Sequence, residues 1–554
     1  MFNKAGRSGL FILFLPLVAA IFVWSSVLSF VPVPWPDDSA FYFVAKDFFR
    51  WPPRWVMLPQ APFEPSYAVF NFNTMPLYPI LIGLGRFIGI DSSHLLKIWP
   101  LSAWALSGAL MGFALLKKGL RGLPVFLVLL FFATNPILRW ASVLVRPESL
   151  VGLFGLALIL GLTFEFPKRL RPKGLWDPVA ALLALAAFAH FNSIHLVMPV
   201  FSALFFQPKR LLQIVPRTLL YLSPWLLCVL LQPSLFIKQM ALQWTRLAIR
   251  NNWLDKPSGF WTGLFDSMGS PEPWSPLLYW SSPILWGLIF SSFLLVVLSF
   301  YWMTRNKKDR PAKNSALNSV MQKLLPSAVW VLSAVWLWHS KPEVWFKYYI
   351  HLSLGCFLGV SGWLLWQKQS ELFKTLQKGW IGVLVLLCGI FLTENWTQWH
   401  SLSQSKSWSW ATYANFVECI DRRLTLYEKE SGIKSGLQVW FPTFPDVTIE
   451  ISKKHPNWKF SRTNDFWERQ NLAIQHGKSS DAVVVTETLG NYELDLEGPL
   501  NTFPIARSLW MEWKGYFLHE LWRTPHWKPN RYLCQKGKWQ AFIYLENGPS
   551  PGSF

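Results

Sequence analysis

The chain has 554 residues, 52% of them hydrophobic and only 15% charged, with a mean hydropathy of +0.25 and a formal net charge of +21. Soluble domains carry about 25% charged residues, so the deficit points to a membrane protein. The Lys and Arg residues cluster between apolar segments, where basic residues set membrane topology, and this pattern argues against a nucleic-acid partner.

The N-terminal Lys4 and Arg7 precede an apolar run over 9–30, long enough to span a hydrocarbon core as a helix. No small-residue cleavage site separates it from Pro32, so it reads as a retained helix with its N-terminus in the cytoplasm. A polar, aromatic, proline-rich loop over 31–75 follows and opens on Pro34-Trp35-Pro36-Asp37-Asp38-Ser39-Ala40-Phe41-Tyr42. The apolar stretch 80–90 is short and carries Arg86, which suits a helix lying on the membrane surface.

Further apolar stretches lie at 94–116, 122–138, 148–166, 175–190, 194–207, 215–232, 276–303, 323–339, 347–366 and 379–394. With 80–90 left interfacial, every basic connection falls on one side, from Lys117-Lys118 through Lys168-Arg169 and Lys209-Arg210 to Lys368–Lys378. The expectation is a mainly α, polytopic transmembrane helical bundle of about eleven spans in residues 1–395. Interfacial helices would occupy its first outer loop. Residues 396–554 are polar, with a helical pattern at 412–429 and strand patterns at 437–441 and 482–486, and are expected to form a small α+β extracytoplasmic domain. The expected location is an inner (plasma) membrane.

Five cysteines are too few for a disulfide framework. Cys228, Cys356 and Cys388 lie in apolar runs; Cys419 and Cys534 can pair if the polar domain faces an oxidising compartment. Asn395-Trp396-Thr397 fits a glycosylation sequon.

This topology gathers the candidate chemistry on the outer face. Asp37-Asp38 is equally readable as a helix-capping pair and as a catalytic one. A carboxylate facing a wet cavity there can take a proton from an attacking hydroxyl, and Asp38 with Glu148 can hold a divalent cation. Arg146-Pro147-Glu148 marks a helix start, with the acid favoured by the dipole and Arg146 able to meet a phosphate. His190 and His195 are five apart, which is poor metal spacing and fits polar residues inside a bundle as well as substrate contacts. Lys341, Lys347, Tyr348 and Tyr349 flank an outer helix start, as interfacial anchors or as a clamp for a lipid phosphate. No nucleotide-binding or zinc-hydrolase motif occurs.

The order of these features resembles the GT-C superfamily of integral-membrane glycosyltransferases, in its protein-mannosyltransferase and aminoarabinose-transferase branch. An acidic pair with an aromatic partner (Asp37-Asp38…Phe41-Tyr42) is followed by Met75-Pro76-Leu77-Tyr78-Pro79 and then by Arg146-Pro147-Glu148. The resemblance covers roughly residues 9–395 and implies a polyprenyl- or dolichyl-phosphate-linked sugar donor, with inversion at the anomeric centre. It matches Asp37 to the catalytic base, Asp38 to its acidic neighbour and Glu148 to the second-loop acid. Lys341, Lys347 and Tyr348 match the region that contacts the lipid phosphate. Tyr42, Arg146, His190 and His195 complete the candidate substrate-binding set. The family's His-Pro-Pro or Lys-Pro-Pro is replaced here by Thr74-Met75-Pro76.

The expected function is therefore transfer of a sugar from a polyprenyl-phosphate donor to a glycan, lipid or protein acceptor on the outer face. The alternative is a polytopic transporter or lipid flippase without glycosyl transfer. That reading calls for ionisable residues in mid-span and repeat symmetry, neither of which the sequence shows.

Overall fold

The computed structural model describes residues 14–22, 36–56, 69–93, 95–166, 172, 174–205, 207–250, 276–305, 315–340, 346–367, 371–404, 410–441, 447–462, 481–488, 531–537 and 539–545. The protein is mostly helical. The chain divides into two compact units: residues 1–25, 98–231 and 253–398 form the first, and residues 26–97, 232–252 and 399–554 the second.

The first unit is a helical membrane bundle. Its helices are α3 (Ile98–Lys117), α4 (Leu123–Thr134), α5 (Pro136–Val143), α6 (Glu148–Phe164), α7 (Pro178–Ala189), α8 (Val197–Leu204), α9 (Pro208–Leu231), α11 (Pro276–Arg305), α12 (Ser315–Ser340), α13 (Phe346–Trp366) and α14 (Glu371–Gln404), the last ending just past the unit's boundary. Four described helical segments are long and apolar enough to cross a membrane: Leu95–Lys117, Pro208–Leu231, Lys347–Trp366 and Glu371–Trp396. The stretch expected as two spans over 175–207 is instead two short helices joined by a 3-10 turn at Phe191–Leu196. At 1.5 Å per residue α7 is only about 18 Å long, short of a hydrocarbon core of about 30 Å.

Local chemistry explains the breaks. Asn135 ends α4 and caps α5, its Oδ1 accepting from the backbone N–H groups of Ile137 and Leu138 at 3.1 Å each. Asp177 caps α7 by accepting from Val179 N–H at 2.8 Å, and Arg217 approaches its other oxygen at 3.4 Å. Close helix contact then depends on small residues, because lipid supplies little hydrophobic drive for helices to associate. A Cβ at Gly152 on α6 would lie 2.5 Å from Tyr348 Cε1 on α13, so only glycine allows this approach.

The second unit contains α1 (Pro36–Phe48), α2 (Leu77–Phe87), α10 (Pro233–Arg250), α15 (Trp410–Ser431) and α16 (Thr448–Lys454). Its five-stranded sheet comprises β1 (Gln438–Phe441), β2 (Lys459–Arg462), β3 (Ala482–Thr488), β4 (Arg531–Lys536) and β5 (Trp539–Leu545), in the order β2-β1-β3-β5-β4. β1 runs parallel to β2 and β3, with α16 as the crossover between β1 and β2; β3 and β4 pair antiparallel with β5. Cys419 on α15 is disulfide-bonded to Cys534 on β4, with Cα atoms 5.9 Å apart. The other three cysteines are free. Residues 233–250 form α10. Gln239 on it is fully buried; it accepts from Phe72 N–H at 2.8 Å and donates to Phe70 C=O at 2.7 Å. That satisfies backbone groups that a non-regular segment would otherwise leave open.

Candidate functional site

Within the helical bundle the chain turns from α5 into α6 through Leu144–Pro147, and this turn sets Arg146 beside Glu148. Arg146 Nη2 donates to Glu148 Oε1 at 2.9 Å, and Nε reaches both carboxylate oxygens at 3.2 Å. Both side chains are buried. A planar guanidinium gripping a carboxylate at a helix N-terminus is the geometry in which a buried ion pair persists. His190 and Tyr349 lie within electrostatic range of this carboxylate.

The 3-10 turn after α7 orients the two histidines. Asn192 N–H donates to His190 Nδ1 at 3.1 Å, so in the neutral ring Nδ1 carries the lone pair and Nε2 the proton. His195 is arranged in the opposite sense. Its Nδ1–H donates to Asn192 C=O at 2.5 Å, leaving Nε2 as a bare acceptor. His195 is 1% exposed, and Nε2 has no hydrogen-bond partner among the described residues. Its ring lies 4.5 Å from that of Tyr349, whose buried hydroxyl is likewise unpartnered. An orphaned acceptor beside an orphaned donor is costly in a dry interior, and together they suit a hydroxyl-bearing ligand.

The first turns of α13 supply the third part. Lys347 is only 2% exposed and makes no ion pair among the described residues. The neighbouring His351 is held by Asn135, Nδ2 to Nδ1 at 2.8 Å. A buried ammonium without a counter-ion is a site for an anion. Tyr348 sits beside Ser149 and Ser107, its ring 5.9 Å from that of Tyr349.

The structure thus brings Arg146, Glu148, His190, His195 and Tyr349 into one buried neighbourhood, with Tyr348 beside Tyr349; Lys347, two residues before Tyr349, lies on another face of α13. His351, one turn beyond Lys347, is held on that face by Asn135. Tyr349 was read at the helix start with Lys347 and Tyr348; His351 and Asn135 were missed, and no local signal links them, 216 residues apart. Lys341 lies outside the described residues.

A separate buried network lies where α5 meets α14. Arg139 donates to Asn395 Oδ1, and the Asn395 amide donates to Thr134 C=O and, at 2.7 Å, to Phe391 C=O. Glu394 is in electrostatic range of Arg139. The sequon asparagine is therefore inside a helix with its amide committed.

In the second unit, Asp37 and Asp38 occupy the first turn of α1, and their side chains are outside the described set. The remainder of α1 is tightly held. Tyr42 donates to Asp91 Oδ1 at 2.9 Å, Arg86 Nε meets the same oxygen at 3.0 Å, and the guanidinium stacks 5.1 Å from the Tyr42 ring. Burial pushes the Tyr42 phenol well above its ordinary pKa. Expected as a substrate contact, Tyr42 is 1% exposed with its hydroxyl already engaged, so it fixes the helix that carries the acidic pair. Lys46 reaches Ser452 C=O at 3.4 Å, and Phe43 packs on Phe460 at 6.4 Å. Asp47 pairs with Arg50 at 3.2 Å through Oδ1, while its buried Oδ2 has no hydrogen-bond partner among the described residues. Burial raises its carboxyl pKa above the usual value, against the pull of Arg50 and Lys46.

No group of three or more His, Cys, Asp or Glu side chains among the described residues is arranged to hold a metal ion. Both oxygens of Glu148, one of the two acids read as metal ligands, accept from Arg146.

No protein-family model matches the chain, and no curated protein matches it. Among solved structures, ArnT from Cupriavidus metallidurans in the apo state is similar with a TM-score of 0.43 at 11% identity, over 97% of this chain and 98% of that one. The same enzyme bound to undecaprenyl phosphate gives a TM-score of 0.41 at 12% identity, over 98% of this chain and 100% of that one. At these values neither structure assigns a role to any residue here.

Proposed function

We propose that this protein is an integral-membrane glycosyltransferase of the GT-C type. It moves a sugar from a polyprenyl-phosphate-linked donor to an acceptor hydroxyl or amine on the outer face of the membrane. The observation that carries the reading is Lys347: a buried lysine that makes no ion pair among the described residues, on the same helix as Tyr349, whose ring lies 4.5 Å from that of the orphaned His195. A lipid phosphate would neutralise Lys347, and sugar hydroxyls would meet the open donor and acceptor. The Arg146–Glu148 pair would hold these groups in register.

In this reading Asp37 is the base. It takes the proton from the acceptor as its oxygen or nitrogen attacks the anomeric carbon, and the bond to the lipid phosphate breaks with inversion. General-base assistance of this kind contributes about 10²–10⁴-fold. The Cys419–Cys534 bond supports an oxidising, extracytoplasmic side for the C-terminal region.

The test is turnover of a labelled polyprenyl-phosphate sugar in membranes carrying the full-length protein. Release of free polyprenyl phosphate with label on an acceptor is expected. Movement of intact donor across the membrane with no cleavage would establish the flippase alternative instead.

A further inference from the structure

Away from this site, the helical bundle carries a partly open cavity of about 590 Å³. It lies at the end of the bundle where α6 finishes, α9 begins and α12 enters. Thr163, Glu165, Gln207, Arg210, Gln322 and Lys323 form its polar lining, while Phe166, Leu204 and Leu325 give it an apolar wall. Thr163 is 5% exposed, and its Oγ1 has no hydrogen-bond partner among the described residues. Arg210 is half-buried and makes no ion pair among the described residues. Lys323 is held by an aromatic face, its Nζ 5.2 Å above the Trp363 ring. Trp363 meets Phe164 edge-on at 4.7 Å, and Lys118 caps that ring at 5.7 Å. Cation–π contacts of this kind hold an ammonium in place while leaving its charge unneutralised. The lining therefore carries two cations against one carboxylate, and it includes a buried hydroxyl lacking a partner.

We infer that this cavity binds the phosphate group of a membrane phospholipid, at the opposite functional pole from sugar transfer. Arg210 and Lys323 would bracket the phosphate, Thr163 would donate to one of its oxygens, and the apolar wall would receive the glycerol and first acyl carbons. Basic pockets between membrane helices recognise lipid head groups by this division of labour. The apolar wall favours a lipid over free phosphate, and the test separates the two.

The full-length protein in detergent is titrated by native mass spectrometry with dihexanoyl phosphatidylglycerol, with dihexanoylglycerol and with inorganic phosphate. The phospholipid is expected to bind at least about tenfold more tightly than either of the others. The double substitution Arg210→Gln/Lys323→Gln should weaken it by at least about tenfold, and Thr163→Val by a few-fold. Lys374→Gln, at an exposed cation paired with Glu371, should change nothing. Equal binding of dihexanoylglycerol would remove the phosphate from the account, and equal binding of inorganic phosphate would remove the lipid. Unchanged binding in a folded double variant would also overturn the assignment. If that variant does not fold, the three-ligand comparison on the wild-type chain decides alone.

Discussion

Arg146 grips Glu148 through three donor–acceptor contacts, the shortest 2.9 Å, at a helix start where both side chains are buried. The pair's stability and its use in chemistry can be separated. Removing one partner leaves a lone buried charge, whereas replacing both with apolar groups is often neutral. Arg146→Met is therefore expected to destabilise the protein by about 3–5 kcal/mol, and Arg146→Met/Glu148→Leu to recover most of that loss. Sugar transfer should be lost in both. Thermal unfolding alongside a transfer assay checks this; a stable double variant that retained activity would make the pair purely structural.

Tyr349 and His195 give the converse case. A buried hydroxyl without a partner costs about 1–3 kcal/mol, so Tyr349→Phe should leave stability unchanged or improve it. The same change should lower transfer or donor affinity at least several-fold, since it removes the donor meant for the ligand. Enhanced stability with unaltered kinetics would show that the open hydroxyl has no ligand.

Asp47 predicts a pH dependence. Burial lifts its folded-state pKa above the unfolded value, so the folded chain holds this proton more strongly. Its contribution to stability is greatest below the unfolded carboxylate range of about 4 and declines as pH rises through the folded pKa. Asp47→Asn should flatten that part of the stability curve and raise stability at neutral pH. The partner it loses, Arg50, is half exposed, and such a pair is worth about 0–1 kcal/mol. An unchanged acid slope in Asp47→Asn, followed by thermal unfolding at stepped pH, would contradict this.

The disulfide joins residues 115 apart, so its removal frees a long loop in the unfolded chain. Cys419→Ser or reduction should cost about 2–5 kcal/mol. Alkylation of the denatured, unreduced protein should find three thiols, at Cys228, Cys356 and Cys388. Five reactive thiols in protein exported from the cytoplasm would place the C-terminal region in a reducing compartment.

Much of the bundle site was legible because its residues sit at helix ends, where sequence signals are strong. Pro147 announced the start of α6 and thereby Glu148, and the Lys347-Tyr348-Tyr349 run announced α13. The C-terminal helix and two of its strands fell where periodicity put them, over 410–431, 438–441 and 482–488. What could not be read was partnership across the chain. Nothing near Tyr42 points to Arg86 and Asp91, and Gln239 looks like an ordinary polar residue until it meets Phe70 and Phe72. Helix lengths in 175–207 were also hidden. Apolar composition continues through a break at which the His190 and His195 side chains bond to the Asn192 backbone.

The most direct measurement concerns the first turn of α1. Full-length wild type and Asp37→Asn, matched for folding by thermal unfolding, are compared for transfer from a radiolabelled polyprenyl-phosphate sugar. Transfer by the wild type with at least about a hundredfold loss in Asp37→Asn is the predicted result. Undiminished transfer by Asp37→Asn would contradict the assigned base.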